Sequence, residues 1–390
     1  MRLSSAALGV VVFLVSWALL HEGFYARDQI VDTPIYERYG EAMTDGRVPY
    51  RDFPVEYPPA ALPVFLLPAL GEGSSDDYRR RFEGLMAGLG VACVVLVAAL
   101  TSSLWAPVFV GAAPLLLGSV YLSRFDLWPA ALTLVALALL VAGRPRLGLG
   151  ALGLAVAAKL YPAVLVPIAL AHVWRTRGRR EALISAGAFF TVVAAIVIPF
   201  AVISPGGVWD GFWQQAARPL QIESLGSGLL LAAHHVFGLE LTMESSHGSQ
   251  NLAGDGADAL AVASTVLQAA VLVALWIWYA RGPATHDRLL AACAAAVCAF
   301  VTFGKVLSPQ FLIWLVPLVP LVRGRRGLVA SAVLAAALVL TQLWFPYRYW
   351  ELALEFDTAA SWLVLVRDLA LVGLTVLLVA AVRPGRSRSS

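Results

Sequence analysis

The sequence predicts an all-α, polytopic membrane protein, and its composition and apolar runs support this fold class. Of its 390 residues, 59% are hydrophobic and only 14% are charged, whereas a soluble domain has about 25% charged residues. The mean hydropathy is +0.77, and long apolar runs recur along the whole chain, as is typical of membrane-spanning helices. These runs include 87–100, 127–142, 184–203 and 328–343. We therefore expect a single integral membrane domain over residues 1–390.

Arginine clusters beside the apolar runs predict which segments face the cytoplasm. Under the positive-inside rule, six clusters and the Met1-Arg2 end belong there. The clusters are 79–81, 144–146, 175–180, Arg281 with Arg288, 323–326 and the tail arginines Arg383, Arg386 and Arg388. Three outer loops then lie on the opposite side, at 22–58, 204–258 and 345–357. The first apolar run has no small-residue cleavage site after it, so we expect it to be a retained span.

The same placement predicts the number of crossings. Only 28 residues separate Arg146 from Arg175, so the chain must cross and return through two half-length segments that meet at Lys159–Pro162. The run between Arg288 and Arg323 is interrupted in the same way at 304–310. We expect a re-entrant pair at 105–122 and leave 225–238 unassigned, which predicts about 12 crossings with both ends in the cytoplasm.

Lys159 and Lys305 are the only lysines in the sequence, and both lie in interrupted apolar segments. An ionisable residue at membrane depth is a functional hypothesis by default, and a lysine ammonium suits a phosphate group. The alternative is a lysine that snorkels to the interface from a helix end. We expect both lysines to face a polar cavity that opens outward.

The first outer loop carries a series of carboxylates that includes Asp28, Asp32 and Glu56. Most acids in such a loop are solvated, but one that faces the cavity could act as a general base toward an acceptor hydroxyl. Residue periodicity alone does not choose among them. Pro58-Pro59 predicts a stiff start to the next span.

Other residue types favour structural roles. The cysteines Cys93, Cys293 and Cys298 lie in apolar runs, so we expect buried, unpaired thiols and neither disulfides nor a cysteine metal site. Clustered arginines do not form a nucleic-acid-binding face. The tryptophans in 209–213 and 344–350 favour the membrane interface over a sugar platform. His234-His235 could line a polar cavity, although a packed or interfacial role is favoured.

An ordered set of short motifs, from about residue 28 to residue 320, resembles glycosyltransferase family 87. The motifs are Asp32-x3-Tyr36, Gly46-x2-Pro49-Tyr50-x-Asp52, Glu56-Tyr57-Pro58-Pro59, Arg124-Phe-Asp126, Lys159-Leu-Tyr161-Pro162, Arg218-Pro-x-Gln221-x-Glu223-Ser224 and Lys305-Val-x-Ser308-Pro-Gln310-Phe. Members of this family are membrane mannosyltransferases of the GT-C superfamily that use polyprenyl-phosphate mannose. The first mannosyltransferase of the eukaryotic glycosyl-phosphatidylinositol pathway is similar in the same places and has an acidic pair at the first motif. Ile30 replaces the first acid here, so we expect no metal bound at that motif.

The resemblance implies a GT-C-like bundle around an outward-facing cavity, in the cell membrane, with the active site on the extracytoplasmic side. It implies inverting, metal-independent transfer of a sugar, mannose in the family, from a polyprenyl-phosphate donor to a lipid or glycolipid acceptor, without a cofactor. Asp32 would be the catalytic base, and Lys159, Lys305 and Arg218 would bind the phosphate. The other predicted substrate-binding residues are Tyr36, Tyr50, Glu56, Tyr57, Arg124, Asp126, Tyr161, Gln221, Glu223, Ser308 and Gln310.

Two other classes remain open at this point. A polymerase or ligase of lipid-linked glycans would also join sugars on the outer face. A secondary transporter or flippase would also have broken helices with buried lysines, but we find no repeat between the two halves of the chain. The acceptor, the identity of the sugar and the oligomeric state do not follow from the sequence.

Overall fold

A computed structural model describes residues 2–27, 30–71 and 73–382 of the chain. Most of these residues are helical, as the sequence predicts. In chain order the α-helices are α1 (Arg2–Leu19), α2 (Thr33–Thr44), α3 (Leu62–Ala69), α4 (Ser75–Leu100), α5 (Trp105–Leu117), α6 (Val120–Ser123), α7 (Leu127–Val141), α8 (Pro145–Ala158), α9 (Val166–Arg177), α10 (Arg179–Ile203), α11 (Pro205–Ala216), α12 (Leu225–Phe237), α13 (Asp255–Arg281), α14 (His286–Phe303), α15 (Leu312–Leu315), α16 (Gly324–Gln342), α17 (Tyr349–Glu355) and α18 (Thr358–Ala381). Short 3-10 helices lie at Gly23–Ala26, Pro59–Ala61, Tyr161–Leu165, Pro309–Phe311 and Val319–Leu321.

Among the described residues, six helices are long and apolar enough to cross a membrane: α4, α10, α13, α14, α16 and α18. Shorter apolar helices, including α5, α7 and α8, pack between them. Helices α10 and α13 bury little of their surface against the rest of the chain, and their large exposed side chains include the apolar Phe190, Ile198 and Val266. The chain is therefore a multi-pass membrane protein.

Most of the arginine clusters gather at one end of the helix bundle. Arg146 forms an ion pair with Glu181 at 2.8 Å, and Arg323 forms one with Asp287 at 3.1 Å. Further contacts join this end: Arg175 with the carbonyl of Ala280, Arg288 with that of Val382 and Arg326 with that of Ala380. We call it the arginine end, and the opposite end, where the first loop lies, the cavity end. The tail arginines fall outside the described residues.

The cluster Arg79–Arg81 lies at the cavity end, so its predicted place beside the other clusters is wrong. Helices α1 and α4 are antiparallel: Gly9 contacts Val94, Gly90 contacts Phe13, and His21 lies 3.1 Å from Glu83. The start of α4 therefore sits beside the end of α1, on the side of the first loop.

A local balance of charge explains the exception to the positive-inside rule. Asp76 and Asp77 form i,i+3 ion pairs with Arg79 and Arg80, and Arg81 donates to the carbonyls of Pro68 and Gly71. These arginines are thus balanced or satisfied locally. Helix α3, with the 3-10 turn from Pro59 before it, is too short to cross a membrane, and it packs against α2 instead of forming the expected span.

Residues 105–122 form no re-entrant pair, contrary to the prediction. Helix α5 runs parallel to α1, since Pro107, near its start, contacts Gly9, whereas Tyr25, beyond the end of α1, donates to the carbonyl of Leu115 near the end of α5. It reaches the cavity end in one pass, and α7 returns to the arginine end. The predicted mismatch in crossings thus arose from the misplaced Arg79–Arg81 cluster.

The chain breaks at both predicted positions. Helix α8 runs alongside α10, ends before Lys159, and is followed by the 3-10 turn Tyr161–Leu165 and by α9, which returns to the arginine end. Helix α14 likewise ends at Phe303, and the broken segment through α15 returns to Arg323. Each break places its lysine at the cavity end.

The predicted second outer loop enters the bundle and also contains strands. Helix α12 packs antiparallel to α18, so Gly228 lies against Leu365, whereas His234 lies near Phe356 at the cavity end. The segment before α12 therefore reaches about 15 Å into the bundle, given a rise of 1.5 Å per residue along α18. Strands β1 (Leu220–Gln221), β2 (Thr242–Ser246) and β3 (Ser249–Ala253) form an antiparallel sheet in the order β1-β3-β2, an exception to the all-α prediction.

Candidate functional site

A cavity of about 450 Å³ opens at the cavity end, and it collects residues from segments far apart in the sequence. The first loop, the α6–α7 connection, both helix breaks and the inserted segment before α12 all contribute to its wall. All but two of the predicted site residues line it: Asp32, Tyr50, Glu56, Tyr57, Arg124, Lys159, Tyr161, Arg218, Gln221, Glu223, Lys305, Ser308 and Gln310. The exceptions, Tyr36 and Asp126, lie directly behind the wall.

Asp32, the predicted base, is bound to an arginine. It lies at the start of α2, where Arg124 forms a short ion pair with its carboxylate. The Arg124 guanidinium is 6% exposed and also donates to the carbonyl of Ile30 at 3.4 Å. The hydroxyl of Tyr36 donates to the other carboxylate oxygen at 3.4 Å. These contacts orient the Asp32 carboxylate, which keeps 23% of its surface exposed.

Lys159 has its own counter-ion, so its charge is not free for the phosphate role that the resemblance implies. Its ammonium lies 2.6 Å from a carboxylate oxygen of Asp126, a side chain that is 1% exposed. The indole N–H of Trp314 donates to the same oxygen at 2.6 Å. The ammonium also lies 4.6 Å from the ring centre of Phe125. Lys159 and Asp126 therefore form a nearly neutral pair that joins α7 to α8.

Among the residues that the structure describes, Arg218 and Lys305 are the cations of the cavity wall that form no ion pair with a carboxylate. Within 4.0 Å of their charged nitrogens we find no carboxylate oxygen in the described parts of the chain. Lys305 donates to the carbonyl of Ala216, the last residue of α11, at 2.9 Å, and the buried Nε of Arg218 has no hydrogen-bond partner. Two cations that have no carboxylate in direct contact are suited to an anionic ligand.

A polar network connects the inserted segment to the second helix break. Gln221 donates to Glu223 and also, at 2.9 Å, to the hydroxyl of Ser308, and its backbone N–H donates to the carbonyl of Lys305. All three side chains are buried. The segment that carries Arg218 is therefore held in register with the segment that carries Lys305.

Aromatic side chains form the floor and one side of the cavity. Tyr161 stacks on Trp314 with ring centres 4.1 Å apart, and Phe311 stacks on the other face of that indole at 4.2 Å. Tyr57 lies within 6.0 Å of the Lys159 ammonium, and Tyr50 donates to the carbonyl of Tyr57. This wall can pack against an apolar or sugar surface.

The first loop is held against α11 by close backbone contacts. The hydroxyl of Ser204 donates to the carbonyl of Tyr50 at 2.9 Å. A Cβ at Gly207 would lie 2.0 Å from that carbonyl oxygen, and one at Gly211 would lie 2.8 Å from the carbonyl of Val55. Larger residues would push α11 away from the loop, so the two glycines determine how closely α11 packs against the loop on this side of the cavity.

Not every acid of the first loop is available as a base. Hydrogen bonds from Arg51 and from the backbone N–H of Val48 lower the pKa of Asp52 to about 2, and Asp52 does not line the cavity. Burial, together with the nearby Glu56 carboxylate, raises the pKa of Tyr39 to about 12, so its phenol stays protonated. Glu56 is exposed and, among the described residues, has no ion pair. Asp28 lies outside the described residues.

Comparison with known protein families assigns the chain to one of them. The family model for glycosyltransferase family 87 matches residues 55–309, which is more than half of the chain. The chain belongs to glycosyltransferase family 87. It is therefore a membrane glycosyltransferase, as the ordered motifs predict. No curated protein matches the sequence.

The glycosyltransferase also contains a buried charge pair that the sequence analysis missed. Arg367 and Asp368, both fully buried in α18, lie 2.7 Å apart, and Arg367 donates to the carbonyl of Glu223 at 2.7 Å. Trp344 covers the guanidinium at 5.7 Å and is itself buried, so its predicted place at the membrane interface is wrong. The sequence does carry a signal for this pair, because two charged residues stand inside an apolar run.

Other predicted candidates lie away from the cavity of the transferase. The ring Nδ1 of His234 donates to the carbonyl of Leu239 at 2.7 Å, and neither His234 nor His235 lines the wall, which agrees with the favoured packed or interfacial role. Trp209 and Trp213 stack at 6.1 Å on the exposed face of α11, as expected of interfacial residues. Cys93, Cys293 and Cys298 are buried and unpaired, as predicted.

Proposed function

We propose that this membrane glycosyltransferase transfers a sugar, mannose by family resemblance, from a polyprenyl-phosphate donor, with inversion and without a metal. The observation that carries the proposal is a pair of cations in one cavity wall, Arg218 and Lys305, that form no ion pair with a carboxylate among the described residues. A polyprenyl-phosphate sugar has one phosphate as its leaving group. Two fixed cations can stabilise the charge that grows on that phosphate in the transition state.

The shape of the cavity supports a lipid donor. On one side its wall is formed by Phe212 and Ala216 of α11 and by Thr265 and Gln268 of α13. Thr265 is exposed on a helix that buries little of its surface, so the cavity opens sideways between these helices toward the surrounding lipid. Lys305 lies at this opening, where it binds the end of α11. A prenyl chain could remain in the membrane while its phosphate reaches the two cations.

Asp32 is the base in this proposal. The acceptor hydroxyl oxygen bonds to the anomeric carbon while the bond from that carbon to the phosphate oxygen breaks. The bonding electrons leave with the phosphate, and the hydroxyl proton passes to the Asp32 carboxylate. A single displacement of this kind inverts the anomeric centre. Arg124 would keep Asp32 ionised and oriented, while Lys159 and Asp126 would form the neutral floor beneath the sugar.

We further propose that the cavity end faces the extracytoplasmic side of the cell membrane and that the chain crosses the membrane twelve times. The gathered arginine clusters support this orientation through the positive-inside rule. The helices that run between the two ends are α1, α4, α5, α7, α8, α9, α10, α13, α14, the broken segment through α15, α16 and α18. Under this count both chain ends lie in the cytoplasm.

The test uses the purified protein in lipid nanodiscs with radiolabelled mannosyl-phosphopolyprenol and a membrane-lipid extract as the source of acceptor. We expect polyprenyl phosphate to be released in equal amount to the sugar that is transferred, without added metal and in the presence of EDTA. Glucosyl-phosphopolyprenol serves as the competing donor. Arg218→Met should reduce the release by about 10²–10³-fold, whereas Asp52→Asn, outside the cavity, should leave it unchanged.

Three outcomes would contradict the proposal. Uptake of intact donor into vesicles without cleavage would indicate a transporter. A ladder of growing glycan products from a lipid-linked oligosaccharide would indicate a polymerase. Loss of activity with EDTA, restored by a divalent cation, would exclude the metal-independent mechanism.

A further inference from the structure

We infer that the hairpin of β2 and β3 forms an acceptor site, and that the acceptor presents sugar hydroxyls there. The tip of the hairpin, His247 and Gly248, lines the cavity together with Ser249. This inference rests on the proposed function, because it assigns the second substrate of the same reaction. It narrows the acceptor from any lipid alcohol to a molecule with a sugar ring.

The backbone conformation at the tip is energetically unfavourable for a histidine. Ser246 pairs with Ser249, so His247 and Gly248 form a two-residue turn, and both have positive φ, 53° and 67°. Such turns favour glycine, asparagine or aspartate at the first position. A histidine held there is strained, and strained residues concentrate at binding sites. The imidazole is exposed within the lining of the cavity.

Buried hydrogen bonds hold the tip in place. The amide nitrogen of Asn251, a fully buried side chain, donates to the carbonyl of Ser246 at 3.0 Å and to that of Ser249 at 3.2 Å. The Ser249 hydroxyl donates to the amide oxygen of Asn251 at 3.0 Å. Pairing of Leu220 with Leu252 then joins the hairpin to the segment that carries Arg218. The tip is therefore fixed relative to the proposed phosphate site.

Glu56 faces the same tip. A Cβ built at Gly248 would lie 4.0 Å from both carboxylate oxygens of Glu56, and this carboxylate has no ion pair among the described residues. Gln215 donates to the Glu56 carbonyl at 3.3 Å and also lines the cavity. Imidazole, carboxylate and amide groups together offer donors and acceptors for several hydroxyl groups of one ring.

The distribution of charge separates the two substrates. Arg218 and Lys305 lie toward α11 and α13, where an anionic donor would bind. Glu56 also lies against α11 through Gln215, but its carboxylate faces the hairpin tip, where it would repel an anionic acceptor and accept hydrogen bonds from a neutral sugar. In a single displacement the acceptor hydroxyl approaches the anomeric carbon from the face opposite the leaving phosphate. We therefore assign the hairpin side to the acceptor sugar.

The experiment compares acceptors and variants in nanodiscs with mannosyl-phosphopolyprenol as donor. The acceptors are octyl mannoside, methyl mannoside and the primary alcohol with the same octyl chain. We expect transfer to octyl mannoside and none to the alcohol. Transfer to methyl mannoside as well would identify a soluble sugar as sufficient, whereas its failure would show that the sugar must be attached to a lipid.

His247→Gly is the decisive variant, because glycine adopts positive φ more easily and the turn is not endangered. We expect it to raise the KM for octyl mannoside about tenfold, the effect of one lost hydrogen bond, with the donor KM unchanged. Glu244→Gln, on the exposed side of β2, is the matched control and should leave both values unchanged.

Equal transfer to the octyl alcohol, or an unchanged KM for octyl mannoside in His247→Gly, would overturn the acceptor site while the donor reaction stands. A lack of any donor cleavage would instead refute the proposed function. In that case saturation-transfer NMR of octyl mannoside with the wild-type protein and with His247→Gly tests the site separately. Binding that His247→Gly weakens would support the site, and equal binding would overturn it.

Discussion

Arg124 forms an ion pair with Asp32, which joins the start of α2 to the connection between α6 and α7. The pair orients the carboxylate and limits its motion. Glu56, which lines the same cavity without an ion pair, is the structural rival for the same role. The assignment of the base depends on which of these carboxylates meets the acceptor hydroxyl.

Asp32→Asn should reduce kcat by about two to four orders of magnitude, the usual effect of losing a general base. The amide keeps the size of the carboxylate, so donor binding should persist. Glu56→Gln should raise the acceptor KM with a smaller change in kcat. Steady-state kinetics with donor and acceptor varied separately measure both effects. If Glu56→Gln causes a large loss of kcat and Asp32→Asn keeps the wild-type kcat, Glu56 is the base.

Lys305→Met and Arg218→Met should each reduce kcat by about 10²–10³, comparable with the loss of one donor at a developing anion. Neither residue has a carboxylate partner in the described parts of the chain, so the thermal midpoint of each variant should stay close to that of the wild type. Scanning fluorimetry of the same preparations provides the control. Full activity of both variants would show that the donor phosphate does not bind at this wall.

Lys159→Met should behave differently, because it leaves the Asp126 carboxylate buried without its cation. Breaking a buried pair costs about 3–5 kcal/mol, so we expect a clear fall in thermal midpoint as well as in activity. Adding Asp126→Asn should recover much of the stability. If instead Lys159→Met is as stable as the wild type and the second change has no effect, the pair does not stabilise the bundle.

A cysteine at Ser75 should be labelled by an impermeant maleimide from the same side as one at Thr44. A cysteine at Thr176, at the arginine end, should react only after the membrane is permeabilised. The three native cysteines are buried, which keeps the background low. Protection of the Ser75 site together with labelling of the Thr44 site would restore the cytoplasmic placement of Arg79–Arg81.

Arg367→Met should destabilise the protein, since Asp368 then lacks its cation. The double variant Arg367→Met with Asp368→Leu removes both charges, and apolar replacement of a buried pair is often neutral or stabilising. We expect the double variant to fold normally but to show a raised donor KM, because the carbonyl of Glu223 loses the bond that holds the inserted segment. Normal kinetics in a stable double variant would limit the pair to a structural role.

Sequence patterns predicted the features that depend on order along the chain. The arginines at 146 and 175 required a return at Lys159, and the structure has a break there. The Arg79–Arg81 cluster led to a wrong placement because the positive-inside rule counts arginines and lysines alone. The rule takes no account of Asp76 and Asp77, which form i,i+3 ion pairs with two of these arginines.

The partners of the cavity residues could not be predicted in the same way. That Asp126 pairs with Lys159, and Asp32 with Arg124, depends on how α2, α7 and α8 pack, and no periodicity within one helix contains this information. The hairpin was missed for a local reason. Its turn has His247 at a position where asparagine or aspartate would have been the recognisable signal.

The adjacent positions of Arg367 and Asp368 have a consequence for biogenesis. When α18 leaves the ribosome and enters the translocon, the two opposite charges are already neighbours and can cross into lipid as one dipole. A lone arginine or aspartate at the helix centre costs about 2.5–3.5 kcal/mol on the insertion scale. Helix α18 therefore brings its own counter-ion and can insert before α12 and the inserted segment have reached their final places.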